Sequence, residues 1–184
     1  MSGATVPVEL TDGVVRLRAF GTGDVATVTR ACQDAETQRW TTIPVPYAES
    51  DAVWFIEEHA PAVWAGGTGG LWAVCTTDDE TYAGSMEVRR DAADPAIGDV
   101  GFATAPWGRG RGLTTRALRL ACTWAFGSLG LVRIEWRAFV GNEASRRVAE
   151  KAGFRYEGLQ RARLVQRGER RDCWTAGLLP DDLG

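Results

Sequence analysis

The chain is 184 residues long, 45% hydrophobic and 24% charged, a composition that fits one soluble globular domain, residues 1–184, and makes a second unexpected. Its net charge of −3 and pI near 5.3 exclude a surface built throughout for nucleic acid, so any phosphate recognition has to be local. Four scattered cysteines without a CxxC pair read as reduced core thiols, and no basic start or apolar run of ~18 residues stands out, which reads as a cytoplasmic chain without a membrane span.

In chain order, "GVVRLRAF" (13–20) alternates apolar and charged residues as a half-buried strand does, and "GTGDVATVTRAC" predicts a short helix opening near Thr22 or Asp24. Pro44 and Pro46 forbid a helix through "TQRWTTIPVPYAES"; "SDAVWFIEEHA" resumes helical spacing with Ser50 as N-cap and Pro61 as its end. "LWAVCTT" and "TYAGSMEVRR" predict an antiparallel strand pair around the turn "TDDE", and "AIGDVGFAT" predicts a further strand. After the glycine-rich "APWGRGRGLTTRAL" (105–118), Leu113, Ala117, Leu120, Ala121 and Trp124 keep helical spacing, and "LVRIEWRAFV" returns as a strand. Asn142 caps the helix "EASRRVAEKA", which Gly153 ends, and two final strands flank "QRG".

The glycine loop invites a phosphate reading, because glycine lets backbone approach a ligand and amides at a helix start carry partial positive charge. An ordinary turn with solvated arginines is the alternative. A P-loop needs GxxxxGK[ST], but Lys151 is the only lysine in the chain. A dinucleotide fingerprint would place its third glycine at Leu113 or Thr115, and one parallel unit among antiparallel strands does not build a doubly wound sheet; Rossmann binding is therefore a minor alternative.

The segment "DVGFATAPWGRGRGLTTRAL" followed by "GLVRIEWRAFVGNEASRRVAEKAGFRYEG" resembles the Gcn5-related N-acetyltransferases (GNAT), and most of all their Rim-type branch of ribosomal-protein N-terminal acetyltransferases. The resemblance spans roughly residues 10 to 180. It implies an α+β fold: a twisted, mixed, mostly antiparallel sheet of about seven strands with about four helices and splayed central strands that hold CoA. It also implies acetyl-CoA as cosubstrate and transfer of the acetyl group to a primary amine, a protein N-terminal α-amine or a small molecule, by direct attack on the thioester. The residues it assigns to the CoA pyrophosphate are Arg109, Gly110, Arg111, Gly112, Leu113 and Thr114; pantetheine falls to Phe102, Ala103 and Thr104. Trp107 departs from the family's usual Gln or Arg, which spares backbone contacts and leaves Arg109 or Arg111 to replace a side-chain one. Family members often pair, so a homodimer is admitted.

Acetyl transfer needs a neutral amine, a stabilised oxyanion and a proton for the departing thiolate. The resemblance assigns the oxyanion to a backbone N–H near Ala103 or Thr104, a place near pantetheine to Asn142 and proximity to sulfur to Ser145; a helix cap with its third-position partner explains the same pair without a ligand. The branch's catalytic glutamate aligns with Leu164, which takes no proton, so Glu87 and Asp99 are the candidate bases, against an ordinary salt-bridged strand face. That substitution keeps open a second reading, an acetyl-CoA-binding sensor without turnover. An α-amine of pKa ~7.8 is about one-third neutral slightly above pH 7, whereas a lysine at ~10.4 costs about 4 kcal/mol to deprotonate, which favours a low-pKa acceptor. Trp40 and Tyr47 are expected to line the acceptor site, while Trp54, Trp72, Trp124 and Trp136 are expected in the core. His59, the single histidine, is expected to be structural or solvated, and no metal set emerges. Arg155, Arg161, Arg163, Arg167, Arg170 and Arg171 alternate with Glu157, Glu169 and Asp172, which argues for a solvated face or a surface for acidic peptides or ribosomes rather than direct nucleic-acid binding.

Overall fold

The computed structural model describes residues 6–183. Its centre is a continuous sheet of eight strands in the order β1-β2-β3-β4-β5-β6-β8-β7, where β1 is Leu10–Thr11, β2 Val15–Arg18, β3 Gly69–Thr76, β4 Tyr82–Arg90, β5 Ile97–Thr104, β6 Arg133–Phe139, β7 Arg155–Gln166 and β8 Glu169–Leu178. Every neighbouring pair is antiparallel except β5 and β6. The eighth strand beyond the expected seven is β1, whose two residues are too short to carry a period.

All residues of β3 are buried, because both faces of the sheet are covered there. Trp72 and Val74 turn into the main core beneath α5 (Leu113–Ser128), while Ala73 and Cys75 join Val28, Tyr47, Ala52 and Ile56 on the opposite side, under α1 (Val25–Cys32) and α3 (Glu49–Trp54). That double burial is why "LWAVCTT" reads as a continuous apolar run. Trp64, Trp72 and Trp124 interlock edge to face with ring centres 5.0, 5.7 and 5.0 Å apart. The four cysteines are free, and burial pushes their thiols away from ionisation, Cys75 up to about 11.

The helical side differs from expectation at several points. Six residues of "AETQRW" form α2 (Ala35–Trp40), capped by the Asp34 carboxylate accepting from Thr37 N at 2.9 Å. For α3 the cap is Ala48, not Ser50: the Asp51 carboxylate reaches back to the Ala48 N–H at 2.8 Å. Nor does Pro61 end the helix. A π turn at Phe55–His59 widens the backbone, the Ala60 N–H bonds Phe55 O, and α4 (Ala60–Ala65) continues with Pro61 in its first turn, where a missing donor is tolerated. Among the described residues these segments, with α5 and α6 (Glu143–Ala152), make six α-helices against the expected four or so. No helix among them is long and apolar enough to cross a membrane.

Candidate functional site

The parallel pairing of β5 with β6 runs from Ile97↔Arg133 to Val100↔Trp136 and stops, although β5 continues to Thr104 and β6 to Phe139. Each strand keeps its outer partner, Thr104 opposite Gly84 and Phe139 opposite Cys173. The two strands therefore diverge as a wedge, and residues 101–104 of β5 present a hydrogen-bonding edge to a cleft of about 740 Å³. Phe102, Ala103 and Thr104 line it, as do Arg109, Gly110, Gly112, Thr114, Asn142 and Ser145.

At the wide end of the wedge the glycine loop turns into α5. Gly110 and Gly112 adopt φ values of +74° and +73°, conformations that side chains oppose, and Gly108 comes so close to β4 that a Cβ there would lie 2.7 Å from Ala83 O. Through these turns none of the amides of residues 110–115 finds an acceptor among the described residues; the helix ladder begins only with Arg116 N to Gly112 O. Six consecutive unpartnered donors at the start of a 16-residue helix form an anion cradle. The Thr104 and Thr114 hydroxyls, 2.7 Å apart, tie the end of β5 to this helix start.

Two side chains of the loop have other work. Trp107 donates its indole N–H to Tyr82 O at 2.6 Å and lies under the Arg30 guanidinium, 4.3 Å from the ring centre, so it anchors the loop from behind. Arg109 bonds Asp34 and the Thr37 hydroxyl at the N-terminus of α2, holding the Asp34 carboxyl below its usual range. Arg111 and Leu113 contribute backbone to the loop; the Leu113 side chain is buried in the main core.

On the other arm of the wedge Asn142 caps α6, its Oδ1 accepting from Ser145 N at 3.1 Å, and Gly153 closes the helix at φ +111°. Asn142→Ala should cost about 1 kcal/mol of stability, measured by urea unfolding of the ligand-free protein. Ser145 is more than a cap partner: while its N–H serves the cap, its hydroxyl accepts the Trp136 indole N–H at 3.1 Å, and the residue lines the cleft.

Glu87 on β4 stands opposite Gly101, the first β5 residue beyond the parallel pairing. Its side chain is only 14% exposed; burial raises its pKa, which the charges of Arg89 and His59 partly offset and that of Asp99 reinforces. Arg89 binds Glu87 through Nη1 at 3.0 Å and holds both oxygens of Asp99, Nε to Oδ1 at 3.1 Å and Nη2 to Oδ2 at 2.8 Å. Asp99, a candidate base from the sequence, thus has a bonded guanidinium across its carboxylate, and Glu87 is the freer of the two.

Trp40, Phe55, Phe139 and Leu164 add apolar walls to the same cleft. Trp40 reaches across the start of α6, where a Cβ at Gly141 would touch its ring at 3.4 Å, and its indole donates to Glu36 at 3.0 Å. Tyr47 does not join it: at 6% exposure it packs in the second core with Val28 and Ile56, away from the cleft. Trp54, expected in the core, is 58% exposed and stacks on His59 at 5.3 Å, while Trp72, Trp124 and Trp136 are buried as expected.

Residues 15–155 match the acetyltransferase (GNAT) domain family, more than three-quarters of the chain. The chain belongs to the GNAT family. Among individual GNAT relatives, the Bacillus subtilis protein named "Probable N-acetyltransferase YjcK" is 33% identical over 115 residues, 60% of this chain and 62% of that protein, so the match spans less than two-thirds of that relative's length. "Uncharacterized N-acetyltransferase YoaA" of the same bacterium is 25% identical over 162 residues, 88% of this chain and 90% of that one. In three dimensions the GNAT fold is shared with Mycobacterium smegmatis RimJ, solved in complex with CoA-disulfide, at a TM-score of 0.80 and 23% identity over 97% of this chain and 88% of that chain.

Arg89, Phe55, Phe139 and Trp136 line this GNAT cleft and were not singled out by sequence reasoning as parts of the site. Arg89 was findable, since Glu87 and Arg89 are two apart on one strand and so share a face. Phe55 and the Trp136–Ser145 bond had no local signal, because each depends on how separate elements pack.

Proposed function

We propose that this protein is an acetyl-CoA-dependent N-acetyltransferase that moves the acetyl group to a primary amine of low pKa, a protein N-terminal α-amine or a small molecule, by direct attack on the thioester. The observation that carries the reading is the meeting, in one cleft, of an anion cradle at residues 110–115, an open strand edge at residues 101–104, a buried carboxylate at Glu87 and a hydroxyl at Ser145. In this reading the cradle takes the CoA pyrophosphate on backbone amides, and the edge takes the amides of pantetheine as an added strand would. The thioester then lies at the narrow part of the wedge, with an N–H near Ala103 or Thr104 for the oxyanion.

Glu87 is the base, directly or through one water. Burial makes it a better proton acceptor than an ordinary glutamate, a rise that the charge of Arg89 partly offsets. Asp99 anchors Arg89. Leu164, in the place the branch gives its glutamate, supplies an apolar wall for the acceptor chain beside Trp40 and Phe139. Ser145 supplies the proton for the thiolate. CoA is already a tolerable leaving group, with a thiol pKa near that of cysteine, about 8.5, so Ser145→Ala should lower kcat only about tenfold while leaving acetyl-CoA affinity nearly unchanged. Unchanged kcat in that variant removes Ser145 from the mechanism.

The whole reading is tested by following thiol release from acetyl-CoA over a panel of peptide N-termini, small amines and lysine side chains. Release with low-pKa amines is expected; tight CoA binding with no release across the panel would establish a sensor instead.

A further inference from the structure

We infer that Trp136 is a positioning residue for acetyl transfer: its indole N–H turns the Ser145 hydroxyl so that the proton points at the departing sulfur. The inference rests on the reading of Ser145 as proton donor and goes beyond it. Trp136 is the last residue of β6 paired to β5, so it stands at the vertex where the two strands part. It is 2% exposed, wedged in the main core, and the only polar atom of its side chain is committed to Ser145 Oγ at 3.1 Å.

The chemistry follows from what each group is able to do. An indole N–H only donates, so it occupies a lone pair of Oγ and excludes the rotamers in which the serine O–H would point at the ring. The Ser145 N–H is meanwhile held by the Asn142 cap, which fixes the backbone from the other side. Ser145 lines the cleft, so an O–H turned away from the ring has the cleft on its side. A donor bonded to Oγ also draws electron density from it and stabilises the alkoxide left after proton transfer. In the step itself the amine nitrogen forms its bond to the acetyl carbon and loses a proton to Glu87. The carbon–sulfur bond breaks with its electron pair on sulfur, and the sulfur takes the Ser145 proton; Ser145 and Glu87 then exchange their protons with solvent, so the balance is amine plus thioester to amide plus thiol. Trp136 neither gains nor loses a proton.

A buried tryptophan with a satisfied N–H is also an ordinary core residue, so the test has to move something packing does not. Trp136→Phe, and in parallel β-(3-benzothienyl)alanine at position 136, which keeps the ring shape and removes only the N–H, are compared with Ser145→Ala and with each Trp136 change combined with it. The benzothienyl variant preserves the test should Trp136→Phe fold poorly. The expected result is a fall in kcat of about fivefold with KM for acetyl-CoA unchanged, and no further fall when the Trp136 change is added to Ser145→Ala. Wild-type kcat in the benzothienyl variant, or losses that multiply in the double variant, overturns the inference while leaving Ser145 in place. An unaffected Ser145→Ala overturns the parent reading and this one with it.

Discussion

Glu87→Gln is expected to lower kcat/KM about 100- to 1,000-fold, the range that a positioned general base supplies. The amide keeps the shape of the side chain and a hydrogen-bond acceptor for Arg89 but accepts no proton, so the loss falls on proton transfer rather than on the fold. The pH profile carries the sharper signature. With an α-amine acceptor, kcat/KM falls once below the amine's pKa of ~7.8 and again below that of Glu87, which burial raises from its ordinary value. Two protons then oppose the reaction at acid pH, and the logarithmic slope approaches two. Glu87→Gln should leave the amine limb and abolish the second; a slope of two in the variant means another group is the base. The same raised pKa acts oppositely on stability: the folded chain holds this proton more tightly than the unfolded one, so the contribution is full below the unfolded value and is lost as pH rises through the folded one. The protein is expected to work best where this residue stabilises it least.

Gly110→Ala combined with Gly112→Ala is the second large effect. Both glycines sit at positive φ with open space around them, so the added methyls clash with nothing and act through the backbone alone. Left-handed backbone costs an L-residue about 1–2 kcal/mol each, roughly 2–4 kcal/mol for the pair if the ligand-free loop relaxes out of the cradle and must be forced back. That corresponds to about a 30- to 1,000-fold rise in KM for acetyl-CoA. The turnover number should stay within a few-fold, since the cradle grips donor and transition state alike. Steady-state kinetics at saturating amine, with a thermal melt to confirm folding, decide it. A change in kcat with KM intact would mean that the loop serves the chemistry and not the grip.

Legibility in the sequence followed the range of the interactions involved. The glycine loop and the Asn142 cap were readable because their signals sit within a few residues: glycines ahead of a helical period, and an Asn three places before the amide it bonds. The wedge came from the family resemblance, and its register fits it, since the pairing of β5 and β6 ends at Val100 and Trp136. Choosing between Glu87 and Asp99 was out of reach, because it depends on Arg89 lying across both carboxylates, a product of strand register. Two aromatic assignments, Tyr47 and Trp54, failed because they too depend on packing between elements, whereas Trp40, Trp72, Trp124 and Trp136 lie where they were expected. Tyr47 and Trp54 lie seven residues apart with similar apolar content, and only the way α3 and the π turn pack decides that the first is buried and the second faces water. Pro61 was read as a terminator because the local rule for proline takes no account of a widened turn ahead of it.

An open sheet has two edges, and proteins defend them because an unpaired strand recruits other strands. The parting of β5 and β6 gives this sheet two more edges, facing each other inside the molecule. They need no charges or prolines to guard them, since the wedge tapers from open to shut over a few residues. A foreign strand would have to part its side chains on both faces to follow that taper. In the proposed reading the occupant is instead a narrow, amide-bearing chain, for which the taper from open to shut sets how deep it reaches.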